Sequence, residues 1–277
     1  MLSFLHGASL GRCSTYLCGG RAERLAFAYD IPSLVEAAEM GALVLGRGSN
    51  VLVGDAGYAG TIVANRAGGF CFTDDECVCE SGALMSVLAR EYVSRGRTGL
   101  EWAYGLPGSA GGAVIGNAGA FGGSMEGSVK SVTVWLGGVV RELSSSECGF
   151  SYRCSNILGT VLSVKLRAEK ADAGEVERVS KQNLESRRNT QPREASGGSV
   201  FKSADGTPAA VYIDRAGLKG LRVGGATVSK VHANFIVNDG GASSADVLQL
   251  MNVVRATVFD KFGVKLEREI KLIGDFF

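Results

Sequence analysis

The amino-acid sequence predicts an α+β protein. From about residue 42 to residue 167, short runs of strand-forming residues alternate with glycine-rich loops. After about residue 168 the pattern becomes helical and then mixed, and the strongest helix signal in the chain lies at residues 245–262. Strands and helices that occupy separate stretches of a chain are typical of α+β folds.

Four segments show helical spacing together with recognisable ends. The clearest has apolar residues on one face over positions 245–262 and Gly263 just beyond its end, which indicates a helix packed on a core. The others, in chain order, are a helix that begins at the capping box Ser33-Leu34-Val35-Glu36 and ends at Gly41, a helix over residues 84–94 closed by Gly96, and a charged helix over residues 175–189 stopped before Pro192.

Strands are predicted at residues 42–45, 50–53, 61–64, 129–135, 139–143 and 269–273. The pair Gly137-Gly138 is a hairpin signal, because a two-residue turn between paired strands requires positive φ angles that glycine adopts readily. In the last strand, alternation would place Glu269 and Lys271 on one face and Ile270 on the other.

The composition is that of a globular protein with a substantial core, with 45% hydrophobic and 21% charged residues among 277. A formal net charge of +1 gives no reason to expect nucleic acid or a membrane surface as a partner. No apolar run reaches the roughly 18–20 residues of a membrane span, and the N-terminal pattern is not that of a signal peptide. Seven cysteines without CxxC spacing and only two histidines predict reduced thiols in the cytoplasm and no metal site.

The first glycine-rich loop, Gly46-Arg47-Gly48-Ser49-Asn50, follows the strand at residues 42–45. A dinucleotide fingerprint would place a helix next, but Val51-Leu52-Val53 is strand-forming, so a Rossmann site is excluded by context. Successive backbone N–H groups in such a loop bind phosphate without a helix. A plain tight turn is the alternative.

The second glycine-rich stretch covers residues 105–112 and continues through residues 117–123. Among 40 glycines in the chain, so many small residues in one stretch indicate a flat face against a large planar ligand or its pyrophosphate. A glycine-rich turn with a buried helix is the alternative here.

These loops, with several further segments, resemble the UDP-N-acetylenolpyruvoylglucosamine reductases, and in particular the compact second type of that family. The similar segments occur in family order and cover nearly the whole chain. They are residues 46–53, residues 99–123, the sequence Ser-Tyr-Arg-Cys-Ser at 151–155, the sequence Gly-Ser-Val-Phe-Lys at 198–202, residues 216–237 and residues 266–274.

The resemblance implies an FAD-binding fold of the vanillyl-alcohol-oxidase type in two subdomains, at about residues 1–66 and 67–170. A C-terminal α+β domain at residues 171–277 would bind the substrate, with residues 267–277 packed back on the first subdomain. It further implies non-covalent FAD, NADPH as co-substrate, a UDP-sugar as the small-molecule substrate, and a cytoplasmic enzyme that we expect to be a monomer.

The resemblance also assigns site residues. The catalytic residues are Arg153, Ser199 and Glu269. The substrate contacts are Tyr152, Lys202, Lys219, His232 and Asn234. The FAD contacts are Gly46, Arg47, Gly48, Ser49, Asn50, Val51, Leu52, Pro107, Gly108, Ser109, Gly111, Gly112, Asn117, Ala118 and Gly122.

The reaction implied is hydride transfer to an enolpyruvyl ether, which builds negative charge on the neighbouring carbon beside its carboxylate. Arg153 would engage that carboxylate and Glu269 would donate a hydrogen bond if protonated, a state that the sequence leaves open. Ser199 would protonate the carbon. Without the resemblance, Arg153 would be expected to form a surface ion pair and Glu269 to lie on the solvated face of a strand. Ser199 would be expected to be a capping or loop serine.

Two positions depart from the family pattern. The family's first loop usually reads Gly-Gly-Gly-Ser-Asn, whereas Arg47 stands at the central position here and is either tolerated as an exposed residue or adds a phosphate contact. The family usually has Asn-Pro after Lys202, where this chain has Ser203-Ala204. A contact from that asparagine to substrate is therefore expected to be shortened or lost.

Two other functions compete with the reductase. An oxidase of the same fold often carries a covalent flavin, but neither glycine-rich loop contains a histidine that could form the link. A non-catalytic nucleotide-sugar binder would have no need of Arg153, Ser199 and Glu269 together.

Overall fold

The elements follow the predicted α+β pattern in a computed structural model that describes residues 1–276. The helices are α1 Ile31–Glu39, α2 Met85–Ser94, α3 Ala110–Ile115, α4 Met125–Ser128, α5 Ala173–Thr190, α6 Ala209–Arg215 and α7 Ser244–Phe262. The strands are β1 Leu5–Ser9, β2 Arg21–Ala28, β3 Leu43–Leu45, β4 Val51–Val53, β5 Tyr58–Asn65, β6 Phe70–Phe72, β7 Glu76–Glu80, β8 Gly119–Ala120, β9 Gly123–Ser124, β10 Val129–Leu136, β11 Val139–Ser144, β12 Thr160–Arg167, β13 Ala195–Ser199, β14 Arg222–Val223, β15 Ala226–Val228, β16 Phe235–Asn238 and β17 Lys271–Ile273.

The chain divides into two compact units. Unit 1 comprises Met1–Leu5, Leu25–Arg47 and Thr61–Arg187, and unit 2 comprises His6–Arg24, Gly48–Gly60 and Arg188–Phe277. The chain passes from one unit to the other within β1, β2, β5 and α5 and between Arg47 and Gly48. The assignment of FAD-binding and substrate-binding parts to residue ranges stays a prediction.

Unit 1 contains a five-stranded antiparallel sheet with the order β11-β10-β12-β7-β6. Its core includes Leu88 and Tyr92 of α2 together with Val132 and Val164 from the sheet, all of them buried. A second, smaller cluster packs Leu34 of α1 on neighbouring apolar residues. In the same unit β3 pairs in parallel with β5, so the carboxyl ends of these two strands point the same way.

Unit 2 contains a four-stranded antiparallel sheet with the order β13-β16-β15-β14. Helix α7 contributes Val247, Leu250, Met251, Val254 and Val258 to a core that is fully shielded from solvent. Strand β17 pairs in parallel with β4 from Lys271↔Val51 to Ile273↔Val53. This pairing brings the C-terminal strand beside the strand that follows the first glycine-rich loop.

Most predicted elements are confirmed. Helices α2, α5 and α7 occupy the predicted segments, and α7 ends at Gly263 in the left-handed conformation. The hairpin turn is also confirmed, since Leu136 pairs with Val139 and both intervening glycines have positive φ angles.

Two predicted boundaries are wrong. Helix α1 begins at Ile31, because Asp30 rather than Ser33 accepts a hydrogen bond from the first turn, at 2.8 Å from the Ser33 nitrogen. The last strand begins at Lys271, because the N–H of Glu269 donates to Val200 and not to β4. Glu269 and Ile270 therefore precede the strand.

The described residues, 1–276, contain no disulfide bond, no helix long and apolar enough to cross a membrane, and no cluster of metal-ligating side chains. Burial raises the pKa of Cys77 to about 12, and the pKa of Cys148 is raised by the same cause. Both thiols are therefore poor nucleophiles at neutral pH.

Candidate active site

In unit 1, Arg153 lies in a tight turn that presents its side chain. The N–H of Ser151 donates to the carbonyl oxygen of Cys154 at 3.0 Å, and the N–H of Cys154 donates back to Ser151 at 3.1 Å. Closing the turn forces Arg153 to a φ of 57°, which residues with a Cβ adopt only when their surroundings fix the backbone. The guanidinium carbon lies 5.4 Å from the ring centre of Tyr152, within cation–π distance.

The Arg153 turn borders a cavity of about 430 Å³. The cavity is lined by the end of the second glycine-rich stretch and by the turn, namely Asn117, Gly119, Ala120, Phe121, Gly122, Gly123, Ser124, Glu126, Tyr152 and Arg153. A Cβ on Gly119 would lie 2.7 Å from the carbonyl oxygen of Gly123 and 3.0 Å from the Cβ of Ser124, so the close approach of β8 and β9 requires a glycine there.

Asn117 ties this stretch to the Arg153 turn. Its side-chain nitrogen donates to the carbonyl oxygen of Ser151 at 2.9 Å, and its side-chain oxygen accepts from the N–H of Glu126 at 3.0 Å. Asn117 is buried and has a φ of 39°. Its amide therefore fixes the backbone of the cavity wall. The cofactor contact expected of Asn117 stays a prediction.

The other half of the second glycine-rich stretch forms the short helix α3, in which Ala110, Gly111, Ala113 and Val114 are buried. The ligand contact expected of this stretch stays a prediction. A Cβ on Gly111 would lie 2.8 Å from that of Ser81, which explains the glycine. Ser109 precedes the helix, but its hydroxyl makes no capping hydrogen bond. Pro107 and Gly108 precede α3, and Gly112 lies within it. Gly122 lines the cavity, and Ala118 stands between the lining residues Asn117 and Gly119.

The first glycine-rich loop begins in unit 1 with Gly46 and Arg47. A Cβ on Gly46 would lie 2.5 Å from the hydroxyl oxygen of Ser109, so only glycine allows this approach. The carbonyl oxygen of Gly46 accepts from Arg66 at 3.0 Å. Burial lowers the pKa of Arg47, and the charge of Arg66 lowers it further.

The remaining loop residues belong to unit 2. Gly48 has a φ of 65° and packs against the backbone of Cys13, where a side chain would collide. The side chain of Asn50 donates to the carbonyl oxygen of Glu269 at 3.4 Å, and its own carbonyl oxygen accepts from Lys271 at 3.0 Å. Ser49 precedes Asn50, and Val51 and Leu52 begin β4.

Ser199 lies at the end of β13, level with Phe235 of β16. An irregularity between Ser196 and Ser199 and a φ of 80° at Gly198 turn the strand at this point. The hydroxyl of Ser199 forms no hydrogen bond with any residue in the described range 1–276, and the residue is partly exposed. Ser199 is therefore held by its backbone while its hydroxyl is available.

Glu269 lies beside the residue that follows Ser199. Its N–H donates to the carbonyl oxygen of Val200 at 2.8 Å, and the same two segments continue to pair where Lys202 N–H donates to Glu267 at 2.9 Å. The structure thus brings together two of the three predicted catalytic residues, Ser199 and Glu269, in unit 2.

The two lysines predicted to contact substrate each form an ion pair. The ammonium of Lys202 lies 2.8 Å from Glu267, and that of Lys219 lies 2.9 Å from Asp214. Both carboxylates are largely exposed, so these pairs are weak and exchange easily for an anionic ligand.

His232 and Asn234 are more constrained. The Nδ1 atom of His232 accepts from the N–H of Asn234 at 3.2 Å, and burial lowers the pKa of the imidazole. The amide of Asn234 is engaged at both ends by the backbone of Phe201, at 3.0 Å and 2.8 Å. Asn234 therefore positions the segment that follows Ser199, and its amide keeps a second N–H and a second lone pair. The substrate contact expected of its side chain stays a prediction.

Comparison with known proteins gives the family. Residues 191–273 match the family model described as UDP-N-acetylenolpyruvoylglucosamine reductase, C-terminal domain, and residues 30–141 match the one described as FAD binding domain. The UDP-N-acetylenolpyruvoylglucosamine reductase of Prochlorococcus marinus is 36% identical over 96% of each chain. The chain belongs to the UDP-N-acetylenolpyruvoylglucosamine reductase family.

Further UDP-N-acetylenolpyruvoylglucosamine reductases are similar to this chain in sequence and in structure. That of Clostridioides difficile is 38% identical over 89% of this chain and 83% of its own length. The crystal structure of the enzyme from Thermus caldophilus matches 99% of both chains at 32% identity, with a TM-score of 0.84. The predicted FAD-binding fold is confirmed, and the chain is a flavin-dependent oxidoreductase of this family.

The structure adds Arg66 to the residues of interest in this reductase. Its guanidinium donates to the carbonyl oxygen of Gly46 at 3.0 Å, and its charge contributes to the lowered pKa of Arg47. In the sequence, Arg47 and Arg66 each follow a predicted strand, at residues 42–45 and 61–64, after one intervening residue. The parallel pairing of these two strands was needed to relate the two arginines to each other.

Proposed function

We propose that this chain reduces the enolpyruvyl group of UDP-N-acetylglucosamine enolpyruvate to UDP-N-acetylmuramate, with FAD as cofactor and NADPH as the electron source, in peptidoglycan synthesis. Family membership supports the reaction. The observation that carries the chemistry is the Ser199 hydroxyl, which has no hydrogen-bond partner among residues 1–276 and lies on a strand locked to the backbone of Glu269 through Val200.

FAD fits the groups present in each unit. In unit 1 a buried Nε of Arg47 has no hydrogen-bond partner among residues 1–276, and Gly46 leaves its space beside the Ser109 hydroxyl. We propose that residues 46–52 and the predicted positions between Pro107 and Gly122 hold the cofactor. Bound there, FAD would supply hydride transfer from NADPH to the methylene carbon of the enolpyruvyl group.

Arg153 stabilises the charge that develops in this proposal. As the carbon beside the carboxylate becomes electron-rich, a fixed guanidinium offers two parallel N–H donors to the carboxylate. The Ser151–Cys154 turn and the Tyr152 ring hold Arg153 in place before substrate arrives. Because the group is held in advance, little reorganisation accompanies the reaction.

Ser199 donates the proton to that carbon. A hydroxyl is a weak acid, but a carbanion-like centre is a strong base, so transfer from Ser199 is chemically reasonable. In its protonated form, Glu269 would act on the same charge through a hydrogen bond from its carboxyl group. Lys202, Lys219 and His232 are proposed contacts of the UDP-sugar, and Tyr152 is proposed to contact it from the Arg153 turn.

The absorption spectrum of the purified protein tests this function. We expect a flavin band that NADPH bleaches without oxygen and that the UDP-enolpyruvyl sugar then restores. Acid precipitation should release the yellow colour into the supernatant, since neither glycine-rich loop has a histidine for a covalent link. A band that NADPH bleaches but only oxygen restores would contradict the proposal.

We also propose that the enzyme acts as a monomer in the cytoplasm. Seven cysteines without a disulfide among residues 1–276 suit a reducing compartment. Light scattering should give the mass of a single chain at micromolar concentration. A mass of two chains would contradict the monomeric state. Fractionation of cells tests the cytoplasmic location.

A further inference from the structure

The ring of Tyr16, in unit 2, packs against the segment that carries Ser199. Tyr16 is fully buried. A Cβ on Gly197 would lie 2.5 Å from Cε2 of the Tyr16 ring and 3.2 Å from its Cδ2, so the ring occupies the space that a side chain at position 197 would need. Gly197 does not have a positive φ, so the close approach of the ring, and not the backbone conformation, requires a glycine at this position.

The same point of contact reaches the segment that carries Glu269. The third atom near the Cβ position of Gly197 is Cδ1 of Ile270, at 3.2 Å, so the side chains of Tyr16 and Ile270 meet over this glycine. Both side chains belong to the core of unit 2. Ile270 directly follows Glu269, and Gly197 stands two residues before Ser199. Packing at Gly197 therefore connects the two segments that carry the predicted acid groups.

The backbone of Tyr16 is held independently of its ring. Its carbonyl oxygen accepts from the side chain of Asn238 at 2.8 Å, and its N–H donates to the hydroxyl oxygen of Ser14 at 3.2 Å. The same hydroxyl of Ser14 donates to the carbonyl oxygen of Val51 at 3.1 Å. A substitution of the Tyr16 side chain leaves all these groups in place, so the ring can be removed without removing the hydrogen bonds of its segment.

The phenol hydroxyl contributes less than the ring. Its oxygen is buried and has no hydrogen-bond partner among residues 1–276. Burial raises the pKa of Tyr16, and the backbone of Gly197 beside it offsets only part of this rise, so the phenol is neutral at physiological pH. A buried hydroxyl without a partner opposes folding. The useful part of the Tyr16 side chain is therefore its ring.

We propose that Tyr16 is a positioning residue for Ser199, because its ring fills the space over Gly197 and thereby sets the place of the Ser199 hydroxyl relative to Glu269. The proposal rests on the proposed function, in which Ser199 donates a proton to carbon. Such a transfer requires the donor to lie within hydrogen-bond reach of the carbon, and a displacement of about 1 Å can cost roughly hundredfold in rate. Tyr16 acts through Gly197 and takes no part in the chemistry.

Stopped-flow absorbance on the two half-reactions tests the role of the ring. Tyr16→Val removes the ring and should slow restoration of the flavin band by the UDP-enolpyruvyl sugar roughly tenfold to hundredfold, while bleaching by NADPH stays nearly intact. Tyr16→Phe keeps the ring and removes only the unpartnered hydroxyl, so it should retain the wild-type rates. Val258→Ala, at a fully buried position of α7 in the same core, controls for lost stability and should slow neither step.

Gly197→Ala gives a second readout that does not depend on activity. Its added methyl group would collide with the Tyr16 ring, so this variant should have a lower melting temperature than the wild type and a slower restoration step. In the double variant Tyr16→Val/Gly197→Ala the ring is absent. The methyl group should then cause a smaller further loss of melting temperature and rate than it causes in the wild type, because substitutions of residues in contact are not additive.

Three results would overturn the proposal: equal slowing of both half-reactions by Tyr16→Val, a slow restoration step in Tyr16→Phe, or additive effects in the double variant. If the UDP-enolpyruvyl sugar did not restore the flavin band of the wild-type protein, the proposed function itself would fail. That outcome is separate, because it is observed before any substitution is made.

Discussion

The N–H of Glu269 donates to the carbonyl oxygen of Val200 at 2.8 Å, so the backbone of the predicted acid is joined to the residue after Ser199. The amide of Asn234 holds the next residue, Phe201, through both its N–H and its carbonyl oxygen. Ser199 is thus fixed by neighbours on both sides, while its own hydroxyl has no hydrogen bond in the described residues. The residues that hold Ser199 in place are therefore different from the hydroxyl group that would react. Substitutions of Asn234 and of Ser199 should accordingly have different effects.

Ser199→Ala should separate the two half-reactions. Bleaching of the flavin by NADPH involves no proton transfer to carbon and should stay nearly intact. Restoration of the flavin band by the UDP-enolpyruvyl sugar should slow about 10²–10⁴-fold, the usual contribution of general acid catalysis. Stopped-flow absorbance measures both steps, and Ser196→Ala on the same strand is the control. Equal slowing of both steps would show that Ser199 is structural.

Arg153→Lys should affect substrate binding as well as the second half-reaction. Lysine keeps the charge but loses the paired N–H donors, so we expect the KM for the UDP-sugar to rise roughly tenfold to hundredfold and the rate of flavin restoration to fall. Both residues carry a Cβ, so the φ of 57° is equally demanding for either. Arg141→Ala, at an exposed position of β11, should have no effect. A normal KM would contradict the carboxylate contact.

Lys219→Ala should raise the KM for the UDP-sugar far more than the KM for NADPH. Loss of a charge-assisted bond to pyrophosphate costs about 1.5–3 kcal/mol, or roughly tenfold to hundredfold in KM. Asp214→Asn is the matched control, because it removes the ion-pair partner of Lys219 and leaves the lysine in place. Similar effects of both variants would indicate that the ion pair, rather than a substrate contact, matters.

Asn234→Ala should destabilise the protein. The substitution leaves the N–H and the carbonyl oxygen of Phe201 without their partners in a buried strand, at a cost of about 2–4 kcal/mol. Urea unfolding followed by fluorescence measures the loss, and Asn252→Ala on the exposed face of α7 should stay within about 0.5 kcal/mol of wild type. Full stability with weaker substrate binding would instead favour a direct contact.

His232 should make stability depend on pH. Burial lowers its pKa in the folded state below the ordinary 6.5, and the charge of Lys219 lowers it further. The unfolded state therefore takes up the proton first, so stability is fully present above about pH 6.5 and is lost as the pH falls through the folded pKa. Stability is measured as the urea concentration at the midpoint of unfolding. Between pH 7.5 and pH 5.5 this midpoint should fall less for His232→Gln than for the wild type. His6→Gln, at an exposed position of β1, controls for the loss of one histidine.

The local elements were predictable because their signals are local. Helix α7 is specified by its apolar spacing and Gly263, and the hairpin by Gly137-Gly138. The true start of α1 was also present in the sequence, since Asp30 followed by Ile31-Pro32 is a strong helix start that the capping box at Ser33 obscured. Motif order alone was sufficient to indicate the family and its FAD-binding fold.

The sequence by itself determined the fold class, the glycine-rich loops and the identity of the residues that resemble a catalytic set. Only the tertiary structure decided that Glu269 precedes its strand, that the Asn234 amide is hydrogen-bonded to Phe201, and that Arg66 donates to the carbonyl oxygen of Gly46. Each of these depends on hydrogen bonds between segments far apart in the chain. Such pairings are set by strand register and packing across the whole unit. The periodicity of a single segment does not specify which distant segment it pairs with.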